Sequence, residues 1–174
     1  MEEKILGIDP GTKYMGAVVI TGSTLLGFGV HTLHNGERPH DVIGQARRVI
    51  LSYVAEHAPS VVAIEKPLLV PTKRAALVSV IVQELQARSR ELGIRVLEIA
   101  PPDVRRVVVG DRHAKKFDVA HAIVRMGFED LRIKLPKEPP HPVLGYKPKD
   151  RYWLHMFDAL AVAVAVQLSR RQNS

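Results

Sequence analysis

The chain has 174 residues, enough to bury a substantial core without disulfide or metal staples, so one globular domain over residues 1–174 is predicted. It contains no cysteine, which excludes disulfide frameworks, thiolate zinc sites and cysteine nucleophiles and suits a reducing, cytoplasmic setting. Lysine plus arginine outnumber the acids 25 to 18, giving a net charge of +7 and a pI near 9.9, which makes a polyanionic partner a serious expectation. The start of the chain, Met1-Glu2-Glu3-Lys4, is acidic. No apolar run is read as approaching the roughly 20 residues of a membrane span, so no membrane association is expected.

In chain order, the first third reads as three strands, Lys4 to Asp9, Tyr14 to Thr21 and Thr24 to Leu33, with Gly22-Ser23 as a tight hairpin between the last two. From Pro39 to His57 the period becomes helical, with Val42, Ala46, Val49, Ile50 and Val54 on one face, and Pro59 ends it. Val61 to Ile64 is an apolar run buried on both faces, most simply placed parallel to an earlier strand after the crossover helix. A loop over Lys66 to Thr72 leads to a helix from Lys73 to Leu92, closed by Gly93, and Arg95 to Ile99 is the fifth strand. Pro101-Pro102-Asp103 opens a short helix, Gly110-Asp111 breaks it, and helical spacing resumes from Ala114 to Met126. Phe128 to Tyr152 carries Pro136, Pro139, Pro140, Pro142 and Pro148 among many basic residues and is read as an irregular basic insertion. A last helix runs from Trp153 to about Gln172. The order predicts an α/β fold with a five-stranded mixed sheet flanked by helices.

Three acids border core elements. Asp9 closes the apolar run Ile5 to Ile8 at a Pro10-Gly11 turn, Glu65 closes Val61 to Ile64, and Asp158 lies in the apolar segment Met156 to Leu168. His155 stands three residues before Asp158 and shares its helix face. Carboxylate oxygens are what hard divalent cations prefer, and few protein ligands are needed when substrate phosphates complete the coordination. Each residue also has a structural explanation: Asp9 as a turn cap, Glu65 as an exposed strand end, Asp158 as a first-turn acid, His155 as a surface residue. Their joint pattern favours one carboxylate cluster.

The set Gly7-Ile8-Asp9-Pro10-Gly11-Thr12, Ala63-Ile64-Glu65, Val108-Val109-Gly110 with Ala114-Lys115-Lys116, and His155-Met156-Phe157-Asp158-Ala159-Leu160-Ala161 resembles the RuvC-type Holliday-junction resolvases of the ribonuclease-H-like superfamily. The resemblance covers almost the whole chain in the right order. It implies that Asp9, Glu65, His155 and Asp158 form the catalytic set holding two magnesium or manganese ions. Lys116 matches a basic residue near the scissile phosphate, with Lys115 as the less favoured register. It further implies a homodimer that nicks symmetric strands of a four-way DNA junction in recombination and repair, with branch-migration machinery as a partner. Phosphate contacts are expected from Lys73, Arg74, Lys115, Lys116, Lys147, Lys149 and Arg151.

The chain departs from the family pattern after Glu65. A glutamine and an aromatic are usual there, whereas this chain has Lys66-Pro67-Leu68-Leu69, so Tyr146, Tyr152 or Trp153 become the candidates for stacking on an unpaired base. Val80-Ile81-Val82-Gln83 replaces the usual Gly-Gln-Ala-Arg, and the proline-rich stretch is long. Two rival readings are an actin-like phosphotransferase, for which the chain has no room to hold a duplicated domain, and a junction-binding protein without catalysis, which would not need the intact acid set.

Overall fold

The computed structural model of the chain describes residues 3–34, 39–67, 71–137 and 148–171. Its strands are β1 (Lys4–Asp9), β2 (Tyr14–Thr21), β3 (Thr24–Thr32), β4 (Val61–Glu65) and β5 (Arg95–Ile99). Its helices are α1 (Pro39–His57), α2 (Lys73–Glu91), α3 (Pro101–Val109), α4 (Lys116–Arg125) and α5 (Pro148–Arg171). They form a mixed sheet in the order β3-β2-β1-β4-β5. β1, β2 and β3 pair antiparallel, while β4 and β5 join parallel to β1, as the crossover helices require. The predicted five-stranded α/β architecture is therefore the observed one.

Alternation along the strands divides the core in two. Ile5, Val18, Ile20, Val61 and Ala63 face a layer made by α3, α4 and α5, whereas Leu6, Ile8, Met15, Val62 and Ile64 face α1 and α2. The α5 layer lies unusually close to the sheet. A Cβ built on Gly7 would fall 2.2 Å from the Ala159 carbonyl oxygen, and one on Gly16 would fall 1.9 Å from that of His155. These two glycines let the helix backbone rest on the strands, and Ala159, Ala161, Ala163 and Ala165 keep it there.

Two expectations need correction. α5 starts at Pro148, not at Trp153, and Glu129–Lys134 forms a 3-10 helix whose Leu131 enters the core. Residues 128–152 are thus not wholly irregular: proline at the first helical position sacrifices no intrahelical hydrogen bond, so Pro148 opens a helix instead of breaking one. The middle of the insertion, including Tyr146 and Lys147, lies outside the described residues. Second, α5 is long and apolar enough, by length and composition alone, to cross a membrane, which the sequence reading did not anticipate. Its apolarity has a local cause, since Leu154, Met156, Phe157 and the run Ala159 to Val166 are buried against the sheet and its neighbouring helices.

Candidate active site

The acids converge because of strand phase. Ile5 and Gly7 of β1 face α5, so Asp9, two residues further, faces it too. Val61 and Ala63 of β4 do the same and hand that face to Glu65. β1 and β4 are parallel with Ile8 opposite Ile64, which places Asp9 and Glu65 one rung on, at the carboxyl ends of neighbouring strands. α5 lies with His155 over Gly16 and Ala159 over Gly7, and Gly16 is the β2 partner of Asp9. His155 and Asp158 are thereby carried over the same strand ends. Because α5 begins at Pro148, Asp158 sits inside the helix, and stabilisation of a first-turn acid by the helix dipole does not explain it.

His155 Nδ1 lies 2.6 Å from Asp9 Oδ2, and the Lys116 ammonium donates to Asp158 Oδ2. Burial, then the neighbouring Asp9 and Asp158 charges, push the Glu65 carboxyl up to about 8, and a hydrogen bond with Asp9 adds to the effect. Burial also raises Asp158 above the usual carboxylate range, with Lys116 pulling the other way. For Lys116 burial works against the charge, but Asp158 and Asp9 outweigh it and hold the ammonium above its ordinary value. Among the described residues, no three His, Asp or Glu side chains are disposed to grip a metal ion as they stand. The chemistry of the set nevertheless fits one: Glu65 and Asp158, crowded by burial and by the Asp9 charge, are both held above the usual carboxylate range, the condition that a hard divalent cation relieves.

Beside the acids opens a cleft of about 460 Å³, lined by Glu65, Lys66, Arg74, Arg105 and Lys116 and by Thr72 and Pro101 at the starts of α2 and α3. It occupies the usual place for a ligand in an α/β sheet, outside the carboxyl ends of parallel strands. Thr72 caps α2 by accepting from the Ala75 amide at 3.1 Å. Of the basic residues singled out from the sequence, Arg74 and Lys116 line this cleft. Lys73 and Lys115 are exposed at the starts of α2 and α4 without lining it, and Lys149 and Arg151 are exposed at the start of α5. Lys147 lies outside the described residues. Sequence reasoning missed Arg105. The available signal was its place in the first turns of a helix that follows directly from β5 at the sheet's rim.

A model of the RuvC family, the crossover junction endodeoxyribonucleases, matches residues 5–166. This chain belongs to the RuvC family. The RuvC of Pelodictyon phaeoclathratiforme is 32% identical over 127 residues, 70% of this chain and 66% of that protein's length. The RuvC of Koribacter versatilis is 27% identical over 168 residues, 92% of this chain and 90% of that protein. The fold is also that of the Thermus thermophilus RuvC structure, with a TM-score of 0.75 at 24% identity over 98% of this chain and 96% of that one. Thermus thermophilus RuvC in complex with a Holliday-junction substrate gives a TM-score of 0.77 at 23% identity, with the same coverage. The family membership makes the chain a junction-resolving DNA nuclease, and RuvC nucleases are metal-dependent.

Proposed function

We propose that this RuvC-family chain cuts four-way DNA junctions in recombination and repair by two-metal phosphodiester hydrolysis at the cluster of Asp9, Glu65, His155 and Asp158. The observation that carries the reading is the convergence of the three carboxylates at the rim of a basic cleft. Magnesium or manganese ions held by these four side chains would activate the attacking water and stabilise the leaving oxygen of an in-line displacement. The protein's own share is positional. β1 and β4 deliver Asp9 and Glu65 from rigid strand ends, and His155 Nδ1 fixes one oxygen of Asp9 at 2.6 Å. The Lys116 ammonium, now on Asp158, stands where it can meet the charge that builds on the phosphoryl oxygens. Arg74, Arg105 and Lys66, with the amino ends of α2 and α3, hold the flanking phosphates.

Two further elements complete this reading. A homodimer would present two such sites to symmetric strands, and the outward side of α2, with Ala76 exposed and Val80 44% exposed, supplies an apolar surface for it. The protein would act in the cytoplasm beside branch-migration machinery. The deciding experiment is cleavage of a labelled synthetic four-way junction, with duplex and single strand at matched salt and with magnesium or manganese present or chelated. Metal-dependent paired nicks in the junction alone are the expected result, and equal cutting of all three substrates would remove the junction from the proposal.

A further inference from the structure

We propose that Tyr14 is a positioning residue for His155: wedged between two side chains of α5, its ring sets the tilt of the imidazole that meets Asp9. The inference rests on the reading of Asp9, Glu65, His155 and Asp158 as the ion-holding set. It begins with a gap in what holds His155. The imidazole has one hydrogen-bond partner among the described residues, Asp9, bonded through Nδ1 at 2.6 Å, and its side chain is 23% exposed. A single hydrogen bond fixes one nitrogen, while rotation about the Cβ–Cγ bond of histidine is intrinsically broad. Something else must fix the plane of the ring.

Tyr14 is placed to do so. It opens β2 directly after the turn that follows Asp9, and the Lys13 carbonyl in that turn is pinned by the Leu33 amide at 2.8 Å. Strand alternation puts Tyr14 on the face of Gly16 and Val18, towards α5. Because Gly16 has no side chain, the His155 backbone sits directly on the strand, and the Tyr14 ring stands beside it. Its centroid is 5.6 Å from that of His155 with the planes at 43°, and 5.5 Å from that of Tyr152 with the planes at 84°. Tyr152 and His155 are three residues apart on one helix face, so the Tyr14 ring meets both at once.

The far side of the wedge is anchored. The Tyr152 hydroxyl donates to the Val30 carbonyl of β3 at 2.7 Å. Its ring meets Trp153 edge-on at 5.3 Å, and the Lys134 ammonium lies 3.9 Å from the centre of the Trp153 ring. Tyr14 therefore bears on a fixed neighbour on one side and on the imidazole on the other. The ring, not the hydroxyl, makes these contacts, so phenylalanine should serve and an aliphatic side chain should not.

Tyr14→Phe and Tyr14→Leu test this, the leucine variant retaining apolar bulk on the strand. In metal-free protein, the His155 ring signals in carbon–proton NMR are expected to keep their wild-type positions in Tyr14→Phe and to move and broaden in Tyr14→Leu. On a four-way junction with magnesium, Tyr14→Leu should lower kcat by roughly tenfold with KM for the junction within about twofold, and Tyr14→Phe should restore kcat. The magnesium concentration for half-maximal rate should rise in the leucine variant alone. In a His155→Ala background Tyr14→Leu should have no further effect, because the two residues act as a unit. His155 signals unmoved by Tyr14→Leu, or an equal loss in the His155→Ala background, would overturn the proposal. The ring signals need no cleavage to be read, so a wild type inert on junctions would remove the nuclease reading separately.

Discussion

On the α5 face the helix backbone touches the strands, with the His155 and Ala159 carbonyls lying where Cβ atoms of Gly16 and Gly7 would be. On the opposite face Leu6, Ile8 and Met15 meet Ile50, Ile81 and Leu85 through interdigitated side chains. The second arrangement can repack when one side chain changes, because the layer between helix and sheet has volume to redistribute. The first has no such layer, so the height of α5 above β1 and β2 is set by backbone contact. His155 and Asp158 ride on that helix, which means that the close face fixes the site and the interdigitated face mainly supplies stability. Substitutions can separate the two.

The largest effect is expected from Asp9→Asn, which removes a charge from the carboxylate cluster. Cleavage of a synthetic junction should fall roughly 10³-fold or more while junction affinity in a gel-shift titration is retained. Wild-type cleavage would take Asp9 out of the mechanism. Next comes Gly16→Ala, whose new methyl would meet the His155 carbonyl and lift α5. A displacement near 1 Å can cost on the order of 10²-fold in rate, to be read as kcat at saturating junction. Leu85→Ala, fully buried on the other face, should instead lower unfolding stability by about 2–5 kcal/mol in denaturant titration and leave kcat within about twofold. If Leu85→Ala impaired kcat as much as Gly16→Ala, the distinction between the faces would be broken.

A smaller effect sharpens the same contrast through pH. Glu65 titrates at about 8 in the folded chain against an ordinary 4.5, so between those values the folded state holds a proton that the unfolded state has lost. Stability of the metal-free protein should therefore fall as pH rises from about 5 to about 8, and the raised Asp158 carboxyl adds to the fall. Lys116, held above its ordinary value, stays charged over this range and contributes no slope. Added magnesium should restore more stability at pH 8 than at pH 5, and a flat profile of unfolding midpoint against pH would dissociate the crowding of the acids from the fold. The smallest effect expected is that of Arg105→Ala. Removing one phosphate contact should reduce the slope of log affinity against log salt by about 0.9 on duplex arms, with an unchanged slope placing Arg105 off the DNA.

Strand phase made much of this legible in the sequence. Ile5 to Asp9 and Val61 to Glu65 are continuous apolar runs that each end on an acid, so both acids could be assigned to strand ends, and β1, β4 and β5 lie where expected. The start of α5 was misread because a cluster of prolines resembles a breaker, although proline at the first helical position is compatible with a helix. That places Asp158 too near the helix start: it lies inside α5, beside Lys116 of α4 and Asp9 of β1. The place of α3 after β5 points to Arg105 and Arg106 alike, and only the fold separates them: the first lines the cleft and the second is exposed beside Asp103.

By itself the sequence determined the elements, the acids at their ends and the helical spacing of His155 and Asp158, because turn chemistry and the periods of strand and helix are local properties of the chain. Only the tertiary structure decided that α3 would bring Arg105 to the side of Glu65, and that Tyr14 would lie between His155 and Tyr152. Those neighbours depend on the strand order β3-β2-β1-β4-β5 and on how closely α5 settles on two glycines. The first is set by pairing between strands separated by whole helices and the second by contacts between residues more than a hundred apart, and neither has a local signal.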